Sequence, residues 1–223
     1  MYKRLHDRYA IKVQFNLFYE TNGFDLSCMT EKYKTEWQKN CDWLKLSFHS
    51  RIEDVDSYKL SGYDEVFRDC SRVHREIVRF ASPDCLAKTT TVHYCYATCE
   101  GLRALSENGV RGLLGLYGSE KIPRTSYQNT EKEAELLRHG NTLMRDGITY
   151  SGIDIILNSH PIEEILPRLQ LVCDRDFVKV MIHEQYFYPD YKKYHPNFEE
   201  KLNLAFRFLF ENGFSSIFFE ELL

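Results

Sequence analysis

Three histidines stand where strands should end. His49 closes an alternating run at residues 43–49, His93 lies at the end of one at 88–94, and His183 closes one at 177–183. Side chains alternate between the two faces of a strand. Lys45 and Ser47 therefore share a face with His49, opposite Leu44, Leu46 and Phe48. Thr89 and Thr91 share a face with His93, and Lys179 and Met181 with His183. Each imidazole falls on the more polar face of its strand. Three imidazoles converging at one mouth could hold a divalent cation with a position open to water or substrate. Glu53, four residues beyond His49, is the nearest carboxylate that could join His49 and His93 as a ligand. A single histidine at a strand end is more often an ordinary hydrogen-bonded side chain. The matched position and facing of three of them is what lifts them out of that class. His6, His74, His139, His160 and His195 fall in helices or loops and receive no role.

The elements that would position these residues alternate along the chain. Period-two runs predict strands at 11–19, 43–49, 88–94, 110–117, 153–157, 177–183 and 216–219. Between them, apolar residues at helical spacing predict helices at 27–41, 63–80, 98–108, 131–139, 161–172 and 197–213, after a first helix at 2–8. Val66, Cys70, Val73 and Ile77 form one face of the longest, and Arg79 near its end can serve the helix dipole. Asp146-Gly147 is a hairpin turn signal. The tripeptide Glu-Asn-Gly recurs at 107–109 and 211–213, each time joining a helix to a following strand. Residues 119–130 read as a long loop. Strands alternating with helices imply a mostly parallel sheet covered by helices. The expected fold class is α/β, a distorted (β/α) barrel of about seven mostly parallel strands, as one domain over residues 1–223.

Composition narrows the function classes. The chain has 223 residues, 43% hydrophobic and 28% charged, which is too apolar for a disordered segment. The net charge of −4 offers no basic field for nucleic acid or an anionic membrane. No run of about 20 apolar residues suggests a membrane span. Charged residues at 3, 4, 7 and 8 interrupt any signal-peptide core. Seven cysteines, an odd number without CxxC spacing, read as reduced thiols in a cytoplasmic protein. No glycine-rich phosphate loop follows the first strand. Tyr186, Phe187, Tyr188, Tyr191 and Tyr194 cluster after His183, as a sugar-stacking wall or as loop packing.

The order of motifs resembles the polysaccharide deacetylase superfamily, carbohydrate esterases built on a distorted seven-stranded (β/α) barrel. The resemblance rests on Leu46-Ser47-Phe48-His49-Ser50 followed by Glu53, on Arg79-Phe80-Ala81-Ser82, and on Val180-Met181-Ile182-His183. It implies a metal-dependent hydrolase that removes an acyl group from a sugar amide or ester. Zinc would be the expected ion, held by His49 and Glu53, with His93, which has no counterpart among the family's motifs, supplying the ligand that the missing residues do not. His183 would be the general acid and Arg79 a further catalytic residue. The substrate would be a carbohydrate or another small acylated compound, with neither nucleic acid nor membrane as partner. The sequence departs from the family in lacking an Asp-Asp pair before residue 11 and in carrying Glu53 where the second motif histidine belongs. Without the Asp-Asp strand, the barrel would be open at its N-terminal edge. One side of residues 11–19 would then be unpaired or closed by 216–219, and an open edge would invite a homo-oligomer. The alternative is a catalytically degenerate barrel that binds a glycan or a protein partner without chemistry.

Overall fold

The computed structural model describes residues 1–53, 58–118 and 125–223. In chain order the main elements begin with α1 (Tyr2–Tyr9), β1 (Val13–Phe18), the short hairpin β2 (Glu20–Thr21) and β3 (Phe24–Asp25), α2 (Lys34–Asn40), β4 (Leu44–Ser50) and α3 (Tyr63–Phe80). There follow β5 (Thr89–Thr90), α4 (Cys99–Glu107), β6 (Gly112–Gly115), α5 (Glu131–Arg138), β7 (Thr142–Arg145) and β8 (Ile148–Gly152). The chain continues through β9 (Ile155–Ile156), α6 (Ile162–Gln170), β10 (Val180–Met181) and α7 (Phe198–Glu211). It divides into two compact units. One comprises Lys12–Gly152 with Phe218–Leu223, the other Met1–Ile11 with Ile153–Ile217.

In the larger unit, β1 and β4 pair in parallel, and β5, β6 and β8 form a parallel set with β7 antiparallel at its edge. The periodicity of α3 decides what covers β4. Val66, Cys70, Val73, Ile77 and Phe80 recur on one face and are buried together with Leu46 and Phe48 of β4. Each such aliphatic or aromatic side chain contributes roughly 1.5–3 kcal/mol by leaving water. Asp64 and Glu65 in the first turn and Arg79 in the last complement the helix dipole. Burying that face of β4 turns Lys45, Ser47 and His49 to the other side. There Lys45 pairs with Glu220, and Lys12 meets Glu221 at 2.7 Å, so the C-terminal residues 218–223 cover the amino ends of β1 and β4. Gly112 of β6 leaves room for this segment, because a Cβ there would lie 2.8 Å from the Phe219 ring. The hairpin β7–β8 turns through Asp146 and Gly147, both with positive φ, as Asp-Gly turns require.

In the smaller unit, α1 packs on α7 through Tyr9 and Phe210, whose ring centroids lie 6.0 Å apart, and through Arg4–Glu199 at 2.6 Å. α6 buries Ile165 and Leu169, while α7 buries Phe198, Leu202 and Ala205. β9 and β10 pair in parallel over two residues.

The seven-stranded, mostly parallel barrel is corrected. Among the described residues the strands form four small sheets of two to four strands, one of them an antiparallel hairpin. The cause is a substitution of side chains for ladder partners. In the 88–94 run only Thr89–Thr90 is strand. The Thr89 carbonyl is taken by Gln14 Nε2 at 2.8 Å, the Phe48 carbonyl by the Thr90 hydroxyl, and the Thr91 carbonyl by His49. In the 177–183 run only Val180–Met181 is strand. Asp154 Oδ2 takes the Lys179 amide at 2.6 Å and Asn158 Oδ1 takes the His183 amide at 2.8 Å, one at each end of the ladder. The strand predicted at 216–219 is also absent. That segment ends in a 3-10 turn, Phe219–Leu222, and β1 is paired with β4 alone among the described residues. Helix 27–41 breaks into two short 3-10 turns before α2, with Asp25 and Thr30 capping them. Of the loop predicted at 119–130, residues 119–124 lie outside the described residues.

Candidate functional site

His49 and His93 meet. His49 Nε2 lies 3.1 Å from His93 Nδ1, and the ring centroids are 4.9 Å apart at 72°. Phe18, from the end of β1, packs edge-on against both rings, with centroids at 4.8 and 4.9 Å. β4 carries His49 to this place on its polar face. His93 arrives differently, in a 3-10 turn, His93–Cys95, that ends the β5 segment.

The hydrogen bonds fix where the protons sit. His49 Nδ1 faces the Thr91 carbonyl, which can only accept, so Nδ1 carries the hydrogen. In the neutral ring Nε2 is then an acceptor, and the proton between the two rings belongs to His93 Nδ1. Neutral His93 therefore keeps its lone pair on Nε2. The result is a directional chain in which His93 donates to His49 and His49 donates to a backbone carbonyl. A proton added at His93 Nε2 can be balanced by transfer of the Nδ1 proton to His49, whose cation the Thr91 carbonyl stabilises.

The turn that presents His93 is backbone-strained. Tyr94 and Cys95 have φ of 55° and 57°, and Tyr127 and Gln128, which close over the turn, have 53° and 57°. Non-glycine residues in this left-handed region cost of order 1–3 kcal/mol each and cluster at functional sites. Tyr127 holds the strain in place. Its buried hydroxyl accepts from the Val92 amide at 3.0 Å and donates to the Leu114 carbonyl at 2.8 Å, and its own amide donates to the Cys95 carbonyl. Burial pushes the Tyr127 phenol well above its ordinary range, so it stays protonated. From His93 a line of rings continues, with Tyr94 at 4.4 Å and Tyr96 stacked on Tyr94 at 6.2 Å. Tyr96 forms one wall of a cleft of about 260 Å³ whose polar lining is Lys59, Thr125, Gln128 and Asn129.

The remaining predicted site residues take other places. Glu53 is exposed, on the segment after β4. Arg79 is a structural tie. It donates to the carbonyls of Leu26, Ser27 and Met29 and pairs with Glu76 at 2.6 Å and Glu31 at 3.6 Å. His183 belongs to the smaller unit, where Asn158 Oδ1 accepts from both its amide and its Nδ1, the latter at 3.2 Å. Burial holds its ring below the ordinary histidine range, which favours the neutral form and suits a base better than the expected acid. Of the expected zinc ligands, His49 and His93 are in contact with each other. Among the described residues no three His, Cys, Asp or Glu side chains gather to hold an ion, and the paired nitrogens of His49 and His93 face one another.

Sequence reading missed Phe18, Tyr127 and the Gln14–Asn16 pair beneath the histidines, where Gln14 Nε2 donates to Asn16 at 2.8 Å and Thr89 Oγ1 donates back to Gln14 at 2.9 Å. Gln14 and Asn16 carry a signal in the sequence: they are the polar half of a strand otherwise written in β-branched and apolar residues.

No protein-family model and no curated protein matches this chain. Among solved structures it is similar to the 4-alpha-glucanotransferase from Thermococcus litoralis, with a TM-score of 0.64 and 15% identity. The match covers 98% of this chain and 34% of that one, so the chain spans about a third of the other protein's length. At this identity the similarity is one of fold. Among the described residues no helix is long and apolar enough to cross a membrane.

Proposed function

We propose that this chain is a hydrolase of acylated carbohydrates, in which the His49–His93 pair supplies the acid–base chemistry. The observation that carries the reading is the directed proton chain from His93 through His49 to the Thr91 carbonyl. His93 Nε2 is buried in this structure. Once a motion of the ring or of the turn opens it to substrate, such a chain lets His93 take a proton from water attacking an acyl carbon and return it to the leaving oxygen or nitrogen. General acid–base help of this kind contributes typically 10²–10⁴-fold. The neighbouring cleft supports a sugar as the bound partner, because it offers the Tyr96 ring beside two amides, a hydroxyl and an ammonium. A fold shared with a protein named as a glucanotransferase agrees with that ligand class. Cleavage of glycosidic bonds ordinarily uses a pair of carboxylates. The pair here is imidazole, which favours acyl transfer to water.

The test is release of acetate from O-acetylated and N-acetylated sugars by the purified chain, compared with His93→Ala and His49→Asn. Asparagine can keep a donor on the Thr91 carbonyl while removing Nε2. Both variants are expected to lose roughly 10²–10⁴-fold in kcat. Sugar binding without acetate release in the wild type would establish the non-catalytic alternative, and release unchanged in both variants would remove the pair from the mechanism. Elemental analysis of the same preparations checks the zinc expectation: metal lost in His49→Ala would restore it.

A further inference from the structure

The smaller unit contains a second cluster. Lys201 of α7 is only 4% exposed. Its ammonium donates to the His160 carbonyl at 2.7 Å and faces His195 Nδ1 at 3.3 Å. Both are neutral acceptors, and they occupy two of its three hydrogens. No carboxylate among the described residues forms an ion pair with it. The nearby glutamates act on it only by charge or on other groups: Glu163 favours the Lys201 ammonium electrostatically, Glu164 lies 2.7 Å from Arg168 and 3.6 Å from His160 Nδ1, and Glu199 pairs with Arg4 at 2.6 Å. A buried charge without a counter-charge is costly.

The lysine does not sit in a closed core. It lines a cleft of about 400 Å³ together with Asn158, His160, His195 and Asn197. Two helices begin at this cleft. Pro161 precedes α6 and Asn197 precedes α7, and neither places a side-chain cap on the first turn. The first turns carry Glu163-Glu164 and Glu199-Glu200, which meet the dipoles with charge, while the first-turn amides lack an N-cap side chain. Burial also holds the Lys201 amine and the His160 and His195 rings below their ordinary ranges, outweighing the opposing charges of Glu163 on Lys201 and Glu164 on His160.

We infer that this cleft is a binding site for a compact oxyanion, a carboxylate or a phosphate group, which takes the third hydrogen of Lys201 and completes its charge. The site is separate from the His49–His93 pair and does not depend on the function proposed for it.

Chemical-shift mapping on the full chain tests it without any substitution. Inorganic phosphate and acetate are titrated separately into the labelled protein, with sodium chloride at matched ionic strength and neutral glucose as controls. The expected result is saturable shifts of the backbone amides at residues 158–160, 162–163, 195 and 197–201 with phosphate or acetate and not with the controls. The stronger of the two arms names the anion class. In Lys201→Gln, which keeps an amide donor for the His160 carbonyl, binding should weaken roughly tenfold or more, the loss of one charge-assisted bond. Failure of both anions to shift these amides at tens of millimolar would overturn the proposal. So would equal response to chloride, or affinity unchanged in a folded Lys201→Gln. Should that variant fail to fold, the wild-type titration alone decides.

Discussion

In the larger unit, two imidazoles answer to the backbone, whereas in the smaller unit two histidines answer to a lysine. His49 gives its Nδ1 proton to the Thr91 carbonyl and receives one from His93, so the tautomer of both rings is set by a group that cannot titrate. His195 offers Nδ1 to the Lys201 ammonium, and His160 offers its carbonyl. The first arrangement is directional, suited to moving a proton. The second holds a buried ammonium with no ion-pair partner among the described residues, suited to taking up a ligand. Histidine content alone therefore separates neither role. What separates them is whether the partner is an acceptor of fixed protonation or a cation in need of a counter-charge.

Arg79 sharpens the comparison from the larger unit, because it too answers to backbone carbonyls. Arg79→Ala leaves the carbonyls of Leu26, Ser27 and Met29 without their donor and removes the Glu76 pair. Because the side chain is about one-third exposed, water takes over part of that loss. The expected cost is still about 2–3 kcal/mol, read by chemical denaturation. Acetate release per folded molecule should be unchanged. A fall in kcat with stability intact would return Arg79 to the catalytic role suggested by its motif.

His74 provides a contrast, a histidine whose burial outweighs its backbone hydrogen bond to Asn108. It packs beside Cys70, its Nε2 3.6 Å from the sulfur, and burial lowers its pKa to about 4 from an ordinary 6.5. The unfolded chain therefore binds the proton more readily. The stability owed to neutral His74 is fully present above pH 6.5 and is lost as pH falls toward 4. At its limit the loss is on the order of 3 kcal/mol. His74→Gln should flatten that part of the stability-against-pH curve, and a slope unchanged between pH 6.5 and 4 would show that His74 is not its source.

The sequence made part of this legible, for local reasons. The run of Val66, Cys70, Val73 and Ile77 gave α3 its bounds, Tyr63–Phe80, and the buried Leu46 and Phe48 turned His49 to the polar face as alternation requires. Thr98 caps α4, and Asp146-Gly147 makes its turn. The barrel was not legible, because alternation cannot show that Gln14, His49, Asp154 and Asn158 would take ladder positions from neighbouring strands. Those are pairings between residues tens of positions apart. His93 lies beside His49, but a left-handed Tyr94 and not a strand delivers it. The lysine cluster was missed altogether. Its trace in the sequence is a His-Pro step that twice precedes a helix with paired glutamates in its first turn, at His160-Pro161 with Glu163-Glu164 and at His195-Pro196 with Glu199-Glu200.

The central claim is the proton chain, and nitrogen-15 NMR of the imidazole rings tests it most directly. Long-range correlations between ring carbon-bound protons and ring nitrogens report which nitrogen carries the hydrogen. Near neutral pH the account predicts the Nδ1–H tautomer for His49 and for His93. A His49 ring protonated at Nε2, or two rings whose nitrogens titrate without influence on each other, would contradict it.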